Sequence, residues 1–305
     1  GASFFFELPL RQEPEEIICE PKAYLNELMM DDNSGQPSAK EVFDTTPYTI
    51  LVVDDNPDMT DFLKRTFEGY FKRIIIAGDG VEALQLVRSH VPDIIVSDVM
   101  MPRMNGYKLC KTIKEDINIS HIPVILLTAR DDRQSQISGY KNGADGYLSK
   151  PFEVEMLMEL IRNRLKNREY TKKRYLNAGL IPTPEESTIS LTDETFLIKL
   201  NSIIQENIEN SNLGIQFICQ EVGLGRSSLY NKLKALTGMG ANEYISKLRI
   251  EKAITLISGT DMPFSEIAEK TGFTTPSYFS TAFKQYTGET PSQYKERKKK
   301  GLAGK

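Results

Sequence analysis

Between positions 49 and 152, short apolar runs alternate with amphipathic stretches. The runs at 50–53, 74–77, 94–96, 124–127 and 146–148 are bounded by Asp, Gly or Pro, and amphipathic stretches lie near 58–70, 80–90, 105–116, 131–142 and 152–168. Continuous apolar strands alternating with helices imply a parallel sheet covered on both faces, because a strand buried on both sides shows no polar alternation. The pattern predicts a (βα)5 α/β domain over 48–168, whose last helix runs past Arg164 into the basic stretch 166–174. Residues 169–189, with Gly179, Pro182 and Pro184, read as linker. From 190 onward helical periodicity replaces alternation, which predicts an all-α domain over 190–298 and a basic tail over 299–305.

The helical half repeats itself at a spacing near fifty residues. Leu229 aligns with Phe279, Leu233 with Phe283, Lys234 with Lys284, and both copies end in Thr-Gly, at Gly238 and Gly288. Each copy has a short helix, a glycine-containing turn and a second helix, the layout of a helix-turn-helix. Copy one spans 213–222, turns at 223–225 and resumes over 226–237; copy two spans 263–271, turns near Gly272 and restarts with Thr275 as N-cap and Pro276 at the first helical position. A helix over 241–257 connects them. The outward faces carry Arg226, Ser227, Tyr230, Asn231 and Lys234 in copy one, and Ser277, Tyr278, Ser280, Thr281 and Lys284 in copy two. Hydroxyl, amide and basic groups are the types that reach phosphates and base edges in a major groove of double-stranded DNA.

Charge supports that division. Residues 1–45 sum to −7, 46–160 to −4, 161–189 to +4 and 190–305 to +3, so nucleic-acid contact is expected in the back half. Residues 1–10 hold a strand-like aromatic run without a sheet nearby, and 11–47 are acidic, proline-bearing linker with at most a short helix near 22–30. The three cysteines, Cys19, Cys110 and Cys219, form no CxxC pair, which argues against a disulfide framework or zinc site and for a reducing cytosol. No run approaches the ~18 apolar residues of a membrane helix, so membrane contact by this segment is not expected.

In an open parallel sheet, ligands bind beyond the carboxyl ends of the strands. Strand one ends in Asp54-Asp55, strand three in Asp98, strand four in Thr128, and strand five leads into Lys150-Pro151. Three carboxylates, a hydroxyl and an ammonium thus converge on one edge. Crowded carboxylates with room for water and a phosphate oxygen favour Mg²⁺, lysine and threonine can hold phosphoryl oxygens, and Asp98 is placed as the nucleophile of phosphoryl transfer. A Mg²⁺-dependent phosphohydrolase shares this chemistry and stays open on these residues alone.

The runs Ile50 to Asn56, Asp93 to Pro102, Leu126 to Ala129 and Gly146 to Phe152 resemble the receiver domain of response regulators, a flavodoxin-like fold. The resemblance implies that Asp98 accepts phosphate from a histidine kinase. It implies that Asp55, Asp98 and the Met100 main-chain carbonyl hold Mg²⁺, with Asp54 assisting through water, that Thr128 and Lys150 bind the phosphoryl group, and that Tyr147 is the switch aromatic. Met100 and Arg130 offer no carboxamide or carboxylate to orient an attacking water. His90 and His121 both sit in loops before strands of this domain and read as structural rather than as phosphate carriers.

The repeat, its connecting helix and the run from Gly272 to Tyr294 resemble the AraC-type DNA-binding domain, which implies seven helices with the second helix of each copy in adjacent major grooves. Thr281 stands where some members carry a longer basic side chain, so base preference does not carry over there. The combination resembles the C-terminal half of hybrid two-component systems. Residues 1–10 then look like the final strand of a truncated histidine-kinase ATPase domain. The expectation is a non-enzymatic, cytoplasmic transcription regulator that dimerises on phosphorylation. A phosphorelay intermediate with a protein-binding helical half is the alternative.

Overall fold

A computed structural model describes residues 43–129, 143–177 and 190–302. The strand-like run at 1–10, the helix near 22–30, the helix at 131–142 and Arg130 lie outside the described residues. Residues 43–305 form one compact unit.

Five parallel strands, β1 (Thr49–Val53), β2 (Arg73–Ala77), β3 (Ile94–Asp98), β4 (Val124–Ala129) and β5 (Gly146–Lys150), form a sheet in the order β2-β1-β3-β4-β5. Successive side chains alternate between faces, and both faces are apolar. Leu51, Val53, Ile95 and Leu126 pack under α2 (Gly80–His90) and α3 (Gly106–Glu115). Ile50, Val52, Val96 and Leu127 pack under α1 (Pro57–Phe67) and α4 (Val154–Asn177). Hence the uninterrupted apolar runs.

Helix α1 starts on the Asn56 side chain, which accepts from Asp58 N, with Pro57 at the first helical position. His90 is the last residue of α2 rather than a loop residue. The helix stops at Val91, a left-handed C-cap with φ +45° where glycine is usual, so the expected stop signal was missing.

Helix α4 leaves the sheet and continues to Asn177, into the span read as linker. Leu157, Ile161 and Leu165 belong to the receiver core, while Tyr175 is buried in the helical core. One helix thereby serves both halves.

The helical half contains α5 (Leu191–Glu206), α6 (Ile215–Val222), α7 (Arg226–Thr237), α8 (Ala241–Gly259), α9 (Phe264–Lys270), α10 (Pro276–Thr287) and α11 (Pro291–Leu302). Two cores flank α8. Leu200, Ile218, Leu229 and Leu233 close the first against Tyr244 and Ile245 of α8. Ile250, Ala253 and Ile257 of α8 close the second against Phe279 and Phe283. Rings of Phe273, Phe279, Phe283 and Tyr294 stack tilted or edge-to-face in series, with centroids 5.4 to 5.7 Å apart. Gly272 turns copy two at φ +71°, and a Cβ there would lie 2.2 Å from the Ile208 carbonyl oxygen, so no other residue fits.

Candidate functional site

The order β2-β1-β3 places the topological switch point between β1 and β3. Asp54 follows β1 and is buried, Asp98 ends β3 and is buried, and Asp55 beside them is exposed. The Lys150 ammonium, from the end of β5, bridges the two buried carboxylates at 2.9 Å to Asp54 Oδ2 and 2.6 Å to Asp98 Oδ1. Burial alone would lower the Lys150 pKa, but its hydrogen bonds to Asp98 and Asp54 and their charges outweigh that and raise it. The Lys150–Pro151 peptide is cis.

Asp98 Oδ2 accepts from Met100 N at 2.9 Å, and Asp54 Oδ1 accepts from Asn56 N at 2.9 Å. Gly106 closes the loop behind the acceptor, donating its N–H to the Val99 carbonyl at 3.0 Å. A Cβ at Gly106 would lie 2.3 Å from the Asp98 carbonyl oxygen, so the start of α3 touches the Asp98 backbone. The Met100 side chain is 72% exposed at the mouth of the site.

Thr128 is fully buried at the end of β4, and its hydroxyl has no hydrogen-bond partner among the described residues. An unpaired buried hydroxyl costs about 1–3 kcal/mol, so this one is available to a further acceptor or donor at the strand end. Tyr147 is half-buried on β5 and packs against the α2–α3 side of the sheet. The sequence-predicted residues Asp54, Asp98 and Lys150 are brought into direct contact. Among the described residues, no cluster of three His, Cys, Asp or Glu side chains stands ready as a cation cage. The side-chain donors at the switch point are nonetheless hard oxygens, the carboxylates of Asp54, Asp55 and Asp98 at adjacent strand ends. That set fits Mg²⁺.

On α7 the side chains of Arg226, Ser227, Tyr230, Asn231 and Lys234 are exposed, while Leu229 and Leu233 are buried. On α10 Ser277, Tyr278, Thr281 and Lys284 are exposed and Ser280 is half-buried. Thr275 caps α10 by accepting from Tyr278 N, with Pro276 at the first helical position. Tyr230 and Tyr278, 54% and 55% exposed, project aromatic surface that a folded domain would otherwise bury.

One cluster escaped the sequence reading. Lys232, on the inner face of α7, is completely buried and paired with buried Asp193 of α5 and Ser120 of the α3–β4 connection. The signal was present: positions 229, 232, 233 and 236 form an apolar stripe at helical spacing with a lysine inside it. His121, beside this cluster, is also buried. Its pKa is pushed down to about 3 by burial and by the charges of Arg168, Lys232 and Lys114, against the raising effect of Asp193. Burial pushes the Cys110 thiol up to about 12, which leaves it unreactive.

Comparison with known proteins agrees with both halves. Residues 50–162 match the response regulator receiver domain family, and residues 218–297 match a helix-turn-helix domain family. The chain is similar to histidine kinase P4 of Formosa agariphila, 41% identical over 249 residues that make up 82% of this chain and 18% of that protein. It is similar to the DNA-binding response regulator MtrA of Mycolicibacterium smegmatis, 36% identical over 136 residues, 45% of this chain and 58% of that protein. Response regulator MprA of Mycobacterium sp. strain KMS shares 36% identity over 165 residues, 50% of this chain and 70% of its own length. The chain thus spans less than two thirds of the first two of these relatives. With a receiver fold in front and a double helix-turn-helix behind, the chain belongs to the response regulators, a receiver domain joined to an AraC-type DNA-binding domain.

Proposed function

We propose that this chain is a phosphorylation-controlled, sequence-specific transcription regulator of a hybrid two-component system, with Asp98 as its phosphoacceptor. The observation that carries the reading is the Lys150 ammonium on the Asp98 carboxylate, with the buried Thr128 hydroxyl, unpartnered among the described residues, at the neighbouring strand end. An Asp98 oxygen attacks the phosphorus of a phosphohistidine on the kinase. The P–N bond breaks, its electron pair leaves with the imidazole nitrogen, and an acyl phosphate forms. Lys150 and Thr128 then hold phosphoryl oxygens, one by charge and one by hydrogen bond. Asp55, Asp98 and the Met100 carbonyl would hold Mg²⁺, with Asp54 assisting through water; the cation supplies charge neutralisation for the incoming phosphoryl group. Tyr147 responds as the switch aromatic.

Once Asp98 is phosphorylated, two chains pair. Helices α7 and α10, joined through α8, enter successive major grooves about one helical turn, ~34 Å, apart. The kinase partner belongs to the same full-length protein, as the similarity to a protein named histidine kinase P4 suggests.

The test joins both ends of the chain. Incubation with Mg²⁺ and acetyl phosphate adds one phosphoryl group per chain by intact mass, and Asp98→Asn adds none. Selection from a randomised duplex library then returns a specific operator. Undiminished labelling of the Asn variant overturns the acceptor assignment. Failure of every duplex to bind favours a protein-binding role for the helical half.

A further inference from the structure

The receiver grips the helical half at the sheet edge opposite the phosphoacceptor. Ser120 lies in the α3–β4 connection and is fully buried. Its hydroxyl donates to Asp193 Oδ1 at 2.7 Å and accepts from Lys232 Nζ at 2.8 Å. Asp193 Oδ2 accepts from Ser190 at 2.8 Å, and the Lys232 ammonium sits 5.1 Å from the centroid of the Phe196 ring. A buried charge without partners is strongly unfavourable, so both ions depend on this arrangement. Beside it, the Thr192 hydroxyl donates to the Lys114 carbonyl at 2.9 Å, and Ile117 packs against the first helical core.

The same connection is tied back to the phosphoacceptor. Lys114, in the last turn of α3, pairs with Asp145 at 2.7 Å and donates to the carbonyls of Ser120 and Ile122 at 3.3 and 3.0 Å. The first residue of α3 is Gly106, pressed against the Asp98 carbonyl. A ten-residue helix, about 15 Å long, therefore touches the acceptor backbone at one end and organises the loop that holds Lys232 at the other.

We propose that α3 and the buried Ser120–Asp193–Lys232 cluster form the joint through which phosphorylation of Asp98 sets the DNA affinity of α7. This rests on the function proposed above. The joint is a mount and not a cover. Lys232 faces the receiver, whereas Arg226, Ser227, Tyr230, Asn231 and Lys234 on the same helix stay exposed. Release of the joint accordingly leaves basal DNA affinity alone and removes its dependence on phosphate.

The experiment uses the whole chain with the variant Ser120→Ala/Thr192→Val. It removes the cross-domain hydrogen bonds named above and leaves the Lys232–Asp193 pair intact. DNA affinity is measured with and without acetyl phosphate, and phosphoryl uptake by intact mass. The wild-type response, about fivefold or more as is typical of coupled sites, falls below about twofold. Basal affinity stays within about twofold, and hydrogen exchange of the α7 amides speeds up. Should that variant not fold, Lys232→Met/Asp193→Leu gives the same readout without a buried charge. A variant that takes up phosphate and keeps the full response overturns the joint alone. A rise in basal affinity overturns the mount, since it would mean the receiver had been covering the DNA face. A wild-type chain that takes up no phosphate, or binds no duplex, overturns the function beneath it and the joint together.

Discussion

Removing the charge of Lys232 alone tests whether the Lys232–Asp193 ion pair, buried where the helical half meets the receiver, is truly dry. In Lys232→Met the aliphatic stem remains, and the ammonium is lost from a side chain with no exposure. Asp193, its carboxylate partner, is 3% exposed and, among the described residues, keeps only the hydroxyl donors of Ser120 and Ser190. Breaking a buried pair on one side costs about 3–5 kcal/mol, a large share of the ~5–15 kcal/mol that holds a domain together. With urea slopes of ~1–3 kcal/mol/M, the unfolding midpoint falls by more than about 1 M. The double variant Lys232→Met/Asp193→Leu leaves no buried charge. It forfeits only the hydroxyl contacts of Ser120 and Ser190, about 1–2 kcal/mol, and so recovers most of the loss.

The pH dependence supplies an independent check. In the wild type, burial pushes the Asp193 carboxyl up, but the Lys232 charge and the hydrogen bonds from Lys232, Ser120 and Ser190 outweigh it and lower its pKa. Without Lys232 only burial and weaker donors remain, and the folded pKa moves above the unfolded one. The folded single variant then binds the extra proton, and its deficit shrinks as pH falls through the raised value. A single variant that loses under about 1 kcal/mol, the value of an exposed pair, with no such acid recovery, would falsify the burial argument.

Three further outcomes follow from the same geometry. His121 is held neutral with its pKa near 3, below the ordinary 6.5, so between those values the unfolded chain takes up a proton that the folded chain refuses. Stability therefore falls as pH drops through that window, by at most ~1.4 kcal/mol per pH unit, and urea titrations at several pH values show this slope lost in His121→Gln. Met100 cannot orient a hydrolytic water, so the acyl phosphate is long-lived and Met100→Asn shortens its half-life in a phosphate-release assay; an equal or longer half-life removes that reasoning. Lys234→Ala weakens binding to all duplexes alike and flattens the salt dependence, whereas Asn231→Ala relaxes preference at one base pair by about 1–3 kcal/mol, both read from a randomised operator library.

The sheet was legible because its chemistry is local. Each strand declares itself by a run such as Ile50 to Val53, and each site residue by standing where a run stops: Asp54, Asp98, Thr128, Lys150. The exposed faces of α7 and α10 were legible for the same reason, since Leu229, Leu233, Phe279 and Phe283 mark the buried stripe and leave Asn231 and Thr281 outside it. What stayed hidden is non-local. Ser120 meets Asp193 across 73 positions and Lys232 across 112, and no periodicity records such a meeting. A lysine inside an apolar stripe announced only that a partner had to exist. The boundary between halves was placed too early for a related reason. The basic stretch 166–174 was expected to continue the helix, but nothing in it shows that the helix ends in the other half's core, where Tyr175 is buried.

The placement of that partner bears on how a small chemical event can reach DNA. All five strands are parallel, so acceptor and joint lie at opposite edges of one sheet. Asp98, Thr128 and Lys150 stand at the carboxyl edge; Asp93, Ser120 and Pro123 precede strands at the amino edge. A phosphoryl group perturbs atoms within a few ångströms, and its charge is screened within ~8–10 Å at physiological salt where solvent enters. What crosses the sheet must be a packed element that touches both edges. Three do: β4, with Thr128 at one end and the Ser120 connection at the other; α3, with Gly106 on the acceptor and Lys114 on that connection; and α4, which follows Lys150 and holds the Asp93 carbonyl through Arg168 at 3.1 Å. Two of them, β4 and α3, end on the Ser120 connection that holds α5 and α7. Because close-packed cores move between discrete arrangements and do not deform smoothly, the proposed coupling predicts that a shift of the Asp98 loop reaches α7 as a change of its mounting, with the exposed side chains of α7 untouched.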